Sequence, residues 1–452
     1  MSALLTPDVK PFARRGVCPA LSAPMQTGDG LLSRIAFTDH TSPDDLAALC
    51  ALALRHGNGL MDITARGGLQ FRGLTDESAV ALERDVLALG LPLRQGLAVE
   101  TSPLAGMDKT AIADTAPIVS RVTERARALR LDERLAAKMS VIIDGGGHVD
   151  MGGLLADIRL KAVRVNDLDL WELILGGTEN KALRAGFLRT ENCDHAVIDL
   201  LSALAERGRN ARGRDFTLED VRAICGERLI AHEALALPPL AAPAYGLMPL
   251  SNDLFAAAVA PALSQIQAET LSGLCAFASG LGIGRVRPGP GHALLFLGNE
   301  EACRRLLAHA RESDFIVDAR DPRSSIAVCA GKPACASAYI TTRELAAHAA
   351  LECGDLLDGS FTLHLSGCGK GCAHPGPASL AFSGQGDGLA FFYSDSVSGV
   401  ADVILPLNER RAALSRLARL YEKEHKPGEN ARALLARLGR QRIVAALRQD
   451  DR

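Results

Sequence analysis

Four cysteines carry the clearest chemistry in the sequence: Cys329-AGKPA-Cys335 and Cys368-GKG-Cys372, two close pairs on loops rich in glycine and small residues. The first pair follows a β-like run at 325–329 and the second a run at 362–365. Small residues let backbone N–H groups approach metal-bound sulfur and tune its charge. Structural zinc sites space their cysteines two to four apart and often add histidine, so a five-residue gap fits zinc poorly. Four buried structural thiols are the plainest alternative. Two tight pairs on glycine-rich turns favour a 4Fe–4S cluster on Cys329, Cys335, Cys368 and Cys372 over both.

Composition limits what such a site could serve. The chain has 452 residues, 48% hydrophobic and 23% charged, with a net charge of −3. That length exceeds one hydrophobic core and predicts two to four domains. The near-neutral charge gives no general pull toward nucleic acid or membrane surface. Aromatic content is 4%, with Trp171 the single tryptophan, so no base-stacking platform is expected. The opening residues hold no apolar run of signal-peptide length. The greasiest stretch, residues 229–250, contains His232, Glu233 and four prolines, and reads as an interdomain linker instead of a membrane span. The expectation is a cytoplasmic protein, whose 11 cysteines stay reduced and where clustered pairs bind metal.

The elements that position the cysteines are organised by a repeat. Residues 46–73 align over 271–298 at a constant offset of 225, with ten identities in 28 positions. They include Leu46/Leu271, Cys50/Cys275, Gly57/Gly282, Gly59/Gly284, Phe71/Phe296 and Gly73/Gly298. Each copy reads as an apolar-periodic helix ending at a glycine suited to a left-handed cap. A short strand, a glycine-rich turn and an alternating strand follow. A helix packed on a small antiparallel sheet results, and two copies can pair about a pseudo-twofold axis. Regions 79–235 and 300–405 alternate helix with β-rich runs at 139–143, 171–175, 325–329 and 362–365. The last stretch carries an apolar stripe at Leu434, Leu435, Leu438, Ile443 and Leu447. It predicts a helix packed across the body in preference to a nucleic-acid arm.

With these motifs assembled, the chain resembles the sirohaem-dependent sulfite/nitrite reductase superfamily. The C-x5-C string and the C-x3-C within SGCGKGC resemble its 4Fe–4S motif. TARGGLQFRGL at 64–74 resembles its T-x-R-x-x-x-Q segment, which lies on the tetrapyrrole, and SPLAG at 102–106 resembles a strand-end motif. The resemblance covers about residues 14–400 and implies an α+β fold. Duplicated ferredoxin-like half-domains at 14–78 and 236–299 pair about the pseudo-twofold axis. Two larger α/β domains occupy 79–235 and 300–405, the second binding the 4Fe–4S cluster, and a helical tail occupies 406–452. Reductases of this type hold a small oxyanion in a cage of cations. Here the cage arginine falls at or near Gly96, one lysine is kept as Lys138, and its companion is Ser140. Arg287-PGPGH stands where a further polar T-x-x-Q segment is common. The resemblance therefore implies a site stripped of cations, with room for something larger than sulfite.

The branch with this character is precorrin-3B synthase, which RRGVCPALSAPMQTGDGLL at 14–32 and IIDGGGHVD at 142–150 also resemble. It implies a monooxygenase of aerobic cobalamin biosynthesis. Precorrin-3A, O2 and a reduced pyridine nucleotide are its substrates; C20 is hydroxylated and an acetate side chain closes onto C1 as a γ-lactone. The implied cofactors are the 4Fe–4S cluster and a mononuclear non-haem iron, without sirohaem. A sirohaem-dependent sulfite or nitrite reductase is the alternative, and a tetrapyrrole carrier or electron-transfer module a third.

For an acidic macrocycle Arg66 is the foremost contact, since a planar guanidinium meets carboxylates bidentately. Gln70, Arg72, Arg15, Arg34 and Lys138 extend the same rim, and His292 could face the macrocycle from the second repeat. For the iron, His148 is the sharpest candidate, with Asp144 and Asp150 nearby. His364 and His374 flank the second cysteine pair, and either iron ligation or hydrogen bonding to the cluster is open to them. No GxGxxG stands between a strand and a helix, so electrons are expected from a separate reductase or ferredoxin.

Overall fold

The computed structural model describes residues 19–231, 244–374 and 376–448. Arg15, Cys18, the boundary at 235–236 and most of the proline-rich linker lie outside the described residues. In the first repeat Ser42 caps helix Pro43–His56 through a capping box with Asp45, and a proline occupies the first turn. Leu46, Leu49, Cys50 and Ala53 form its buried stripe. Helix Ala268–Gly280 buries Leu271, Leu274, Cys275 and Ala278, and both stripes enter one core. Strands Met25–Thr27, Gly30–Ile35, Leu69–Leu74 and Leu60–Ile63 form an antiparallel sheet in that spatial order. Gly246–Pro249, Phe255–Pro261, Ala293–Gly298 and Arg285–Gly289 repeat it.

The sheet edges are exchanged between the copies. Strand Leu60–Ile63 is continued by Gln265–Gln267 of the second copy, with Met61 opposite Ile266. Reciprocally, Thr41 lies opposite Val286, joined by amide-to-carbonyl bonds of 2.9 and 2.8 Å. Adding the offset of 225 turns Met61 into Val286 and Thr41 into Ile266. The two pairings are one contact related by the pseudo-twofold axis.

Two features depart from the sequence reading. Helix Asp76–Ala88 runs across position 78 and buries Ala79, Leu82 and Val86 in the shared core; helix Glu300–Glu312 does the same after position 299. The half-domains therefore extend one helix further than 78 and 299. The glycines ending the two repeat helices also differ. Gly282 is left-handed at φ +76°, whereas Gly57 is extended at φ −118°. Gly57 is required because a Cβ there would come within 2.3 Å of the Arg72 carbonyl oxygen.

The larger regions build two more sheets. Ala98–Glu100, Ser140–Asp144, Ala156–Val165, Leu168–Gly177 and Leu183–Leu188 form one; Ile326–Val328, Leu363–Ser366, Ala378–Gln385, Gly388–Asp395 and Val403–Leu405 form the other. In each, successive pairings run parallel, parallel, antiparallel, antiparallel. The doubling therefore extends to regions where no sequence repeat is visible. The tail forms two helices, Arg410–Glu424 and Ala431–Arg448, and its stripe of Leu434, Leu435, Ile443 and Leu447 is buried against the last sheet. Among the described residues no helix is long and apolar enough to cross a membrane.

The glycine-bearing loops of the two copies meet each other. Gly67, at φ +77°, lies so close that a Cβ would stand 2.7 Å from the Gly289 nitrogen. The Gly291 amide donates to the Ala65 carbonyl at 3.1 Å. Gly67→Ala is expected to lose about 1–3 kcal/mol through backbone strain and the forced parting of the loops. Denaturant unfolding reads the loss, with Gly153→Ala as a control, since a Cβ at Gly153 meets nothing within 4 Å. Superimposable curves for the two variants would show that the loops separate freely.

Candidate functional site

Strands Ile326–Val328 and Leu363–Ser366 lie parallel and adjacent, so each releases its cysteine-bearing loop at the same end of the sheet. The Gly367 amide donates to Cys329 Sγ at 3.1 Å, joining the two pairs directly. The loops are closely packed: a Cβ on Gly367 would come within 2.6 Å of the Ala338 side chain. From the other side, the Gly28 amide of the first hairpin donates to Ala334 at 3.0 Å. Cys329, Cys335 and Cys368 are half-buried and Cys372 is exposed, whereas the remaining described cysteines are buried. Burial pushes the Cys50 and Cys353 thiols up to about 12, and those of Cys225 and Cys303 up to about 11.

Among the described residues no three His, Cys, Asp or Glu side chains converge tightly enough to hold one metal ion. A cluster takes each thiolate on a different iron and needs no such convergence. An amide aimed at Cys329 Sγ and close loop packing at Gly367 suit the thiolates that would hold such a cluster.

The three tetrapyrrole-type motifs meet in a single cleft. It is lined by Arg66 and Gly67 from the first loop, Thr101 and Pro103 at the strand-end motif, and Arg287 to Pro290 from the second loop. Arg94, Glu100, Met151 and Leu154 also line it, with Ala36, Phe37 and Val99. Glu100 accepts from Arg94 Nη1 at 2.8 Å through one oxygen and from Arg66 Nη1 through the other. Arg66 Nη2 also donates to the Leu155 carbonyl. Arg287 donates to the Phe37 carbonyl at 3.3 Å, and burial lowers its pKa. Fully buried Arg159 holds the carbonyls of Met151, at 2.8 Å, and Leu154, at 2.5 Å, fixing that wall.

Three guanidiniums thus line the cleft, two of them on Glu100 and the third on the Phe37 carbonyl within the field of Asp39. The expected stripping of cations is corrected by Arg94, two residues before Gly96. Gly96 itself is left-handed at φ +71°, a conformation unfavourable for arginine. The sequence holds Arg94 in plain view, but only the fold turns it into the cleft.

Other candidates are dispersed. Gln70 is buried in strand Leu69–Leu74, opposite Arg34 on one side and Asp62 on the other. Arg72 is buried and paired with Asp29 and Asp62. Lys138 is exposed ahead of strand Ser140–Asp144 and does not line the cleft. His292 occupies the position equivalent to Gly67 but turns inward, its Nδ1 2.6 Å from the Ile63 carbonyl, and burial lowers its pKa. His148 sits 3.0 Å from Asp108 and 3.2 Å from Thr110, not against Asp144 or Asp150. Asp144 is buried, which raises its pKa, and it accepts the Gly146 amide; Asp150 accepts the Gly152 amide. The residues named for a mononuclear iron are not assembled into a ligand set.

The doubled half-domains, the two matching sheets and the paired cysteine loops define a protein of the sulfite/nitrite reductase type. Residues 23–89 match the family described as nitrite/sulfite reductase ferredoxin-like half domain. The fold resembles that of the NirA protein of Mycobacterium tuberculosis, with a TM-score of 0.72 at 18% identity over 91% of this chain and 84% of that one. Over 443 residues the chain is 38% identical to precorrin-3B synthase of Sinorhizobium sp, covering 96% of this chain and 95% of that protein. The chain belongs to the precorrin-3B synthase family.

In metal-free protein the four loop cysteines are expected to alkylate at least about 100-fold faster than Cys50, Cys225, Cys303 and Cys353, because thiolate is the reactive form and is scarce in raised thiols. Peptide mass mapping of a timed iodoacetamide reaction measures this. Comparable labelling of Cys50 would contradict the assigned burial.

Proposed function

We propose that this protein is a monooxygenase of the precorrin-3B synthase type, acting on precorrin-3A in aerobic cobalamin biosynthesis. Precorrin-3A, O2, one reduced pyridine nucleotide and a proton yield the C20-hydroxylated γ-lactone, the oxidised nucleotide and water. The observation that carries this reading is the cleft, where Arg66, Arg94 and Arg287 outnumber Glu100. A surplus of fixed guanidiniums suits a macrocycle bearing several carboxylates. Near-full-length similarity to a precorrin-3B synthase supports the choice of macrocycle.

In this reading Arg66 and Arg94 exchange Glu100 for substrate carboxylates, and Arg287, bonded to the Phe37 carbonyl and in the field of Asp39, adds a third cation. Arg159 keeps the wall at Met151 and Leu154 in place, which excludes water from one edge. Gln70, Arg34 and the His292 loop support the strands behind the cleft. Cys329, Cys335, Cys368 and Cys372 would hold a 4Fe–4S cluster, which when bound would pass electrons singly from a separate reductase or ferredoxin. No step is assigned to a second iron, since the described residues do not gather ligands for it. Sirohaem has no part, because precorrin-3A takes the place of the macrocycle.

The same cations also suit a sirohaem-dependent sulfite or nitrite reductase, and one set of measurements separates the two. Anaerobically purified protein is expected to hold about four or five irons, to lack sirohaem bands and to consume precorrin-3A only with O2. Sirohaem bands together with sulfite or nitrite turnover at about 1 per second or faster would install the reductase instead. Within the cleft, Arg66→Ala and Arg287→Ala are each expected to weaken precorrin-3A binding about tenfold or more, since a charge-assisted contact contributes roughly 1.5–3 kcal/mol. Lysine is a partial substitute, lacking the planar two-point contact. The readout is a titration without O2; unchanged affinity in both variants would place the substrate elsewhere.

A further inference from the structure

Beneath the second cysteine loop lies a polar group that the bare fold leaves without a role. His364 stands in the middle of strand Leu363–Ser366, in register with Ala327 on one side and Ala381 on the other. Side chains alternate across a strand. His364 and Ser366 therefore share one face, while Leu363 and Leu365 enter the apolar core on the other. His364 is 0% exposed, and neither ring nitrogen has a hydrogen-bond partner. Buried polar groups are rarely left so, because burial without a partner is costly. An aliphatic side chain would fill the same space without that cost.

The ring lies under the ligand loop. A Cβ built on Gly371, between Cys368 and Cys372, would stand 3.7 Å from His364 Cε1. The His374 ring, two residues past Cys372, is 5.7 Å away centre to centre, and its Nε2 is 3.1 Å from the Pro377 carbonyl oxygen. His374 therefore has a backbone contact of its own, and His364 does not.

We propose that His364 is a positioning residue for the iron–sulfur cluster, donating its ring N–H to a sulfur on the Cys368–Cys372 side. The inference rests on the cluster reading given above. A donor there stabilises the more negative, reduced cluster and so raises its reduction potential.

The test uses the intact chain. Iron and sulfide analysis and the electron paramagnetic resonance spectrum of reduced wild-type protein come first. Absence of a 4Fe–4S signal would overturn the cluster reading and this inference together. With the cluster present, pulsed resonance on protein carrying 15N-histidine is expected to show a weakly coupled nitrogen. That coupling should disappear in His364→Phe and persist in His374→Phe. The midpoint potential of His364→Phe should fall, and His364→Gln, which keeps an N–H donor, should recover most of the difference. A wild-type spectrum without nitrogen coupling overturns the proposal whether or not the variants fold. So does a cluster-loaded His364→Phe with wild-type potential; either result leaves the cluster reading standing.

Discussion

Asp62 sits where three parts of the chain meet, and their arrangement depends on its charge. It accepts from Arg72 at 2.9 Å, from Gln265 at 3.0 Å and from Arg343 at 3.2 Å. Arg72 comes from the neighbouring strand and also grips Asp29 of the first hairpin through two nitrogens. Gln265 belongs to the exchanged strand of the second copy. Arg343 lies in helix Thr342–Glu352, just past the first cysteine loop, and donates as well to the Leu263 carbonyl at 2.6 Å. A carboxylate this buried is tolerated because cations and an amide fill its hydrogen-bonding capacity. Its removal would take one partner at once from buried Arg72, from half-buried Arg343 and from Gln265. Pairing of the half-domains and placement of the cysteine loop are therefore mechanically one problem.

The cleft inverts that arrangement. Around Asp62 donors match acceptors; around Glu100 they exceed them. Arg66 and Arg94 share one carboxylate, and Arg287 hydrogen-bonds the Phe37 carbonyl within the field of Asp39. The two ion clusters are thus distinguished by stoichiometry more than by residue type.

Reading the sequence reached the parts of the fold that admit only one residue type. The repeat survives at Phe71/Phe296, fully buried in both copies, and at Gly73/Gly298, where an added Cβ would come within 2.5 and 3.0 Å of neighbouring side chains. Its offset carries straight into the Met61/Ile266 and Thr41/Val286 pairings. The doubling of the two larger sheets left no such trace, since their strands accept any apolar residue of suitable size. The cysteine pairs were legible because their spacing is short and local, and the structure brings them together through the Gly367 amide on Cys329 Sγ. Ion pairs were not: Glu100 lies 34 residues from Arg66, and Asp108 lies 40 from His148. Such distances have no periodicity to read. The same blindness placed His148 with the wrong aspartates and hid Arg94 behind Gly96.

The exchanged edge also has a consequence in time. Strand Leu60–Ile63 leaves the ribosome long before Gln265–Gln267, which covers it, exists; 202 residues separate Ile63 from Gln265. At synthesis rates of about 5–20 residues per second, the nascent edge waits roughly 10–40 seconds. An open strand edge is a template for pairing with any neighbouring chain. Asp62 stands in the middle of that edge, and a charge on an uncovered strand deters such pairing. The carboxylate that later knits the finished molecule together thus guards the unfinished one while its partner is still being made.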